Sequence, residues 1–282
     1  MAPTLLPGDD RREDDAMIPH STIDMLEETW RSLSTMGLTF SEPQWKTATA
    51  LPGWSVQDNY AHIIGTERLL QELPSTEHRI DKPDYVHNPI GELNEFEVDA
   101  RRGLTGAQVL AEFNELTALR IRTLRGADDA YFARETFTPT GRDTVTHFLK
   151  MRLMDCWTHE QDVRRAIGLP MTLSSDSAAH TVDWMLQFVP MVIGKRAGAG
   201  EGETVVLTIT GPVERVKWYT VANKRAAEIE AGMGDPTAGV AMDTETFILL
   251  AMGRAQSNEV RYDLAGDRDL GERIVDNLNM MI

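Results

Sequence analysis

The sequence predicts an α plus α+β protein: a helical bundle over residues 21–170, followed by a link helix and a small α+β domain over 171–282. Three observations carry this expectation. Apolar residues recur at helical spacing through the first part. That pattern stops at Gly168-Leu169-Pro170, a glycine followed by a proline, which ends helices. Beyond the glycine-rich stretch 194–203, clusters of β-formers alternate with helical segments. At 282 residues, 41% of them hydrophobic, the chain is long enough for two cored domains and is not wholly disordered.

Residues 1–20 combine Pro, Gly and clustered Asp, Glu and Arg with little to bury, so they read as a disordered acidic arm. Ile23, Leu26, Trp30 and Leu33 then mark a first helix. A Pro-Gly turn precedes a second, with Ser55 as its N-cap, expected to run to about Leu73. A polar connection leads to helical patterns at about 90–102 and 105–125, the latter capped by Thr105. After a turn-rich segment, a long helix is expected from about Thr144 to Ile167, and a link helix from Ser175 to about Ile193. In the last part, 203–210, 214–221 and 258–264 read as strands, and 243–253 and 267–281 as helices.

With 28 Lys+Arg against 44 Asp+Glu the net charge is −16, and no local basic patch offsets it, which argues against nucleic acid or an anionic membrane as partner. There is no apolar run of eighteen residues, and the first residues turn acidic before a signal-peptide core could form. A single cysteine, Cys156, has no internal partner for a disulfide, and a reducing, cytoplasmic setting is expected. No pattern for serine hydrolases, dinucleotide binding or a P-loop is present. His159-Glu160 opens like the metalloprotease H-E-x-x-H helix, but position 163 is Val.

Polar residues on apolar helix faces point to the chemistry. On the 144–167 helix, His159 falls inside the arc of Val145, Phe148, Leu149, Leu153, Cys156 and Val163, with Arg152 alongside and Asp155 on its flank. Asp155 and His159 are four apart, one turn from each other on one side of the helix. On the 55–73 helix, Asn59, His62, Thr66 and Glu67 lie within or beside the apolar arc. Buried imidazole and carboxylate must be compensated by pairing, hydrogen bonding or metal. His62, Asp155 and His159 would supply the three N/O ligands of a catalytic zinc site, with an open fourth position. The same spacing also describes satisfied core histidines and an Asp–His hydrogen bond. His147 projects away from the arc and reads as a surface residue, and Cys156 as inert core.

The segments L-P-G-W-S-V-Q-D-N-Y-A-H-I-I-G-T-E (51–67) and R-L-M-D-C-W-T-H-E-Q-D-V-R-R-A-I-G-L-P (152–170) resemble the maleylpyruvate isomerase family of mycothiol-dependent enzymes. That likeness implies a DinB-like four-helix bundle, and D-T-E-T-F-I-L-L-A-M-G-R (243–254) is similar to the family's sterol-carrier-like second domain. It further implies a zinc ion on His62, Asp155 and His159. Asp155 stands where the family carries Glu, one methylene longer, so a water or a backbone shift is expected to bridge the difference.

What the resemblance implies chemically is a metal-bound mycothiol sulfur acting as a thiolate on a small electrophile. Retention of the adduct makes an S-transferase, the main expectation. Addition to a cis-alkene, rotation and expulsion of the thiol make a cis–trans isomerase of a maleylpyruvate-like dicarboxylate, the alternative; a non-catalytic metal- or small-molecule-binding module is the contrasting class. Arg152 and Arg254 are the candidate substrate- or thiol-binding cations, with structural ion pairing as their other reading. Asp162 and Asp58 are the candidates to orient His159 and His62 from behind.

Overall fold

The computed structural model describes residues 18–230 and 234–281. Nearly all of the expected acidic arm lies outside them. The chain divides into two compact units between Thr172 and Leu173, each described by itself.

The first unit contains α1 (His20–Gly37), a short α2 (Glu42–Trp45), α3 (Val56–Leu70), α4 (Pro89–Arg102), α5 (Gly106–Gly126), α6 (Asp129–Ala133), a hairpin of β1 (Glu135–Thr138) and β2 (Gly141–Thr144), and α7 (Val145–Ala166). Four long helices form the bundle. α1 packs on α5 and α7, α3 packs on the same two, and α4 lies against α3. Trp30, Tyr60, Ile63, Phe113, Leu149 and Leu153 meet in the centre. Burial of such apolar side chains stabilises the bundle by roughly 1.5–3 kcal/mol each.

Local chemistry fixes the helix ends. Ser55 Oγ accepts from the Asp58 amide while the Asp58 carboxylate accepts from the Ser55 amide at 2.7 Å, a reciprocal cap on α3. α3 stops at Leu70 rather than about Leu73 because Glu72 turns left-handed, φ 57°, two residues before Pro74. Thr144 caps α7 by accepting from the His147 amide at 3.0 Å, and Gly168, φ 76°, closes its far end.

Two glycines set close approaches. A Cβ at Gly65 would lie 2.5 Å from Glu97 Cβ, so α3 and α4 touch there. At Gly106 it would lie 2.1 Å from the Trp45 ring, which sits on the first turn of α5.

The wheel for α7 shows one apolar arc, yet the helix is buried on all sides from Met151 to Val163 except at half-buried Asp155. The chain following α7 folds back on it: Trp157 Nε1 donates to Thr172 Oγ1 at 3.2 Å, and Gln161 Oε1 accepts from the Thr172 amide at 2.9 Å. The β1–β2 hairpin replaces part of the expected turn-rich connection, with Glu135 opposite Thr144.

In the second unit, α8 (Asp176–Leu186) ends seven residues before the expected limit; a short turn α9 (Val189–Met191), containing Pro190, and a wide π-type turn (Val192–Arg196) follow. A five-stranded sheet is built from β3 (Thr204–Thr210), β4 (Arg215–Ala222), β5 (Arg225–Ile229), β6 (Ala238–Asp243) and β7 (Asp263–Gly266), in the order β5-β4-β3-β6-β7. β3 and β6 run parallel and the other neighbours antiparallel. Val205, Leu207 and Ile209 bury one face of β3 at the two-residue period of a strand. α10 (Thr244–Ala251) and α11 (Arg268–Asp276) complete the unit. Of the strand expected at 258–264 only Asp263 and Leu264 pair; Ser257–Glu259 is a helical turn, because Gln256 and Glu259 cap it reciprocally. The architecture is thus a helical bundle plus an α+β unit. No helix among the described residues is long and apolar enough to cross a membrane.

Candidate metal centre

α3 and α7 cross in the bundle with His62 on one and Asp155 and His159 on the other. One ligand atom from each lies within 4.8 Å of the others. His62 Nε2 is 3.3 Å from Asp155 Oδ2, and His159 Nε2 is 3.6 Å from Asp155 Oδ1. A tetrahedral cation with bonds of ~2.1 Å has ligand-to-ligand edges of about 3.4 Å, close to these two spacings, which run to the two different oxygens of Asp155. The shorter Asp155 therefore reaches both imidazoles directly. The imidazoles are almost fully buried while the Asp155 side chain is 18% exposed, so the cluster opens on its carboxylate side.

His159 is oriented by Asn59, one turn N-terminal to His62: its Nδ1–H donates to Asn59 Oδ1 at 2.7 Å, leaving Nε2 to face Asp155. Asp162 Oδ2 lies farther from the same nitrogen, at 3.6 Å. Trp54, just before the Ser55 cap, lays its ring 5.8 Å from the His159 ring at 28°, and 5.4 Å from that of His62. Its Nε1–H donates to buried Glu95, which also accepts from Tyr85 and Arg102. Sequence reasoning gave neither Asn59 nor Trp54 a role at the cluster. The available signal was Asn59 three residues before His62 on the same inward arc.

The electrostatics hold His62 neutral and Asp155 anionic, while His159 is drawn toward its charged form. Burial pushes His62 down to about 4 despite the opposing pull of Asp155, so its ring is neutral at neutral pH. His159 is shifted upward: burial works against its charged form, but Asp155 and Asp162 outweigh burial. Asp155 is held well below the usual carboxylate range, because Arg152 and the two imidazoles overcome the cost of burying its charge.

Other expected site residues have different partners. Asp58 does not orient His62: its carboxylate is taken by the Ser55 cap and by Arg102 Nε at 3.3 Å, and His62 Nδ1 has no hydrogen-bond partner. Arg152 is not an open substrate clamp, since it is buried and donates to Glu67 Oε1 at 3.0 Å, to Asp155 Oδ2 and to Cys156 Sγ at 3.4 Å. A long cation inside a bundle takes the nearest carboxylates. Arg254 belongs to the second unit, where its Nη1 donates to the Met252 carbonyl. His147 is half-buried rather than exposed, with Nε2 3.6 Å from Asp143 Oδ2 one turn back. Cys156 is fully buried, accepts from Trp30 Nε1 at 3.3 Å, and burial pushes its thiol up to about 12.

Fold and cluster together define a helical-bundle protein with an inward His–Asp–His constellation, joined to an α+β unit. Residues 26–164, just under half of the chain, match the mycothiol maleylpyruvate isomerase N-terminal domain. The crystal structure of the mycothiol-dependent maleylpyruvate isomerase is similar at 18% identity over 86% of this chain and 92% of that one, with a TM-score of 0.52. A histidine-to-alanine mutant of that enzyme gives the same identity and coverage with a TM-score of 0.54. At this identity the likeness establishes the fold. No curated protein matches the chain.

Proposed function

We propose that this protein is a metal-dependent enzyme that uses mycothiol to interconvert the cis and trans forms of a small unsaturated dicarboxylate of the maleylpyruvate kind. The observation that carries the reading is the His62–Asp155–His159 cluster, open on its carboxylate side, within a segment that matches a domain of this family. The donor set fits a borderline divalent cation, zinc foremost: two imidazoles, one of them held neutral, and an ionised carboxylate. When bound, such a cation favours the thiolate form of a thiol at neutral pH. The chain's own residues do the rest. Asn59 fixes the tautomer of His159, Trp54 covers the imidazoles on one side and limits water, and Arg152 keeps Asp155 ionised. A reducing cytoplasm, expected from the single cysteine, suits a thiol cosubstrate.

One observation favours the second reading, transfer of the thiol to an electrophile: Arg152, the expected carboxylate clamp beside the cluster, already has two carboxylate partners. The deciding experiment loads the purified chain with zinc, adds mycothiol and a cis-configured keto-dicarboxylate, and follows the alkene by NMR and thiol adducts by mass spectrometry. Conversion to the trans isomer that requires both metal and thiol is the expected result. A persistent adduct without conversion replaces isomerisation by transfer, and bound metal with neither outcome overturns both.

A further inference from the structure

We infer that the first unit carries a second ligand site, for a small carboxylate with an apolar body, in a cleft on the far side of Arg152 from the His–Asp–His cluster. This inference is independent of the proposed reaction. Arg120, Arg134 and Arg152 all line the cleft, together with Tyr131 and Thr136. Against their three guanidinium charges the adjoining ion pairs supply two carboxylates, Glu67 and Asp155, leaving an excess of one positive charge.

Arg120 is the strongest pointer. Its side chain is 4% exposed, yet among the described residues only one of the five N–H donors that a guanidinium carries makes a hydrogen bond, from Nη1 to Tyr131 Oη at 3.0 Å. Its Nε forms an ion pair with Glu67 Oε2 at 3.2 Å but without hydrogen-bond alignment, and neither atom has a hydrogen bond among the described residues. A buried cation with so much unspent donor capacity is costly unless a ligand uses it. Tyr131 Oη, acting as acceptor from Arg120, keeps its own proton to donate. At the mouth, exposed Arg134 stacks over the Tyr131 ring at 5.3 Å, and no carboxylate among the described residues pairs with it.

The lining selects the ligand. A carboxylate head takes two parallel hydrogen bonds from one guanidinium. Leu70, Phe148 and Leu149 supply an apolar wall for the body behind that head.

The experiment titrates the full chain with butyrate, and separately with inorganic phosphate, following arginine Nε–H resonances by NMR and heat by calorimetry. Saturable butyrate binding, about tenfold weaker in Arg134→Gln and unchanged in His62→Ala, is the expected result. Arg134 is exposed, so that variant tests the site without disturbing the core; Arg120→Lys, which keeps the charge but loses the fork, should weaken butyrate similarly. Absence of saturation, equal binding by wild type and Arg134→Gln, loss of binding in His62→Ala, or tighter binding of phosphate than of butyrate would each overturn the inference.

Discussion

Arg152 holds Asp155 from one turn below on α7, its Nη1 donating to the oxygen, Oδ2, that also lies 3.3 Å from His62 Nε2. Metal and guanidinium therefore compete for one carboxylate. In Arg152→Met the competition disappears, and divalent metal should bind roughly tenfold tighter, the worth of one charge-assisted hydrogen bond. The fold pays elsewhere, because Glu67 loses a buried partner, and stability should fall by about 3 kcal/mol. Chelator competition and urea unfolding measure the two; weaker metal binding would contradict the assignment of Asp155.

Asn59→Ala removes the acceptor that fixes the His159 ring. Loss of such an orienting partner costs about 10- to 100-fold in metal affinity. Because Asn59 touches no cation itself, stoichiometry at saturating metal should stay at the wild-type value, whereas His159→Ala should lower it. Elemental analysis across a metal titration separates the two variants.

Gly106→Ala tests the packing that positions α5. The new methyl would overlap the Trp45 ring, so either the ring or the first turn of the helix must shift. A destabilisation of about 1–3 kcal/mol is expected, read from the urea midpoint.

His78 lies 2.6 Å from Asp99 and is the main reason that carboxyl sits below its ordinary value of 3.8; burial opposes it and Arg102 adds to it. A carboxyl depressed in the folded state stabilises it above its unfolded pKa and loses that contribution as pH falls through the folded one. His78→Ala should therefore raise the Asp99 midpoint measured by carbon NMR. The stability difference from wild type should vanish once the pH falls below the folded-state midpoint of Asp99. An unchanged midpoint would assign the shift to Arg102 instead.

The bundle was legible because its signals are local and repeated. Ser55, Thr105 and Thr144 cap helices whose apolar periodicity runs for many turns, and the inward His62, Asp155 and His159 stand out against that periodicity. The hairpin at 135–144 and the strands β5 and β6 escaped for the opposite reason. Arg225–Ile229 and Ala238–Asp243 are short and rich in Ala and Gly, and they become strands through pairing with distant neighbours rather than through propensity. At the site, the inward direction of a polar side chain could be read, but not its partner. Arg152 finds Glu67 eighty-five residues away and Asp58 finds Arg102, both set by helix packing that no single segment encodes.

The parallel pairing of β3 with β6 imposes an order on synthesis. As the ribosome delivers the second unit, β3, β4 and β5 can zip into a meander at once, but the other edge of β3 stays bare until Ala238–Asp243 has emerged. A message cut short before that point yields a product whose Thr204–Thr210 edge offers unpaired amides and carbonyls beside an apolar face. Such fragments should aggregate with one another, and premature termination here is thus a hazard to cell proteostasis as well as a loss of enzyme.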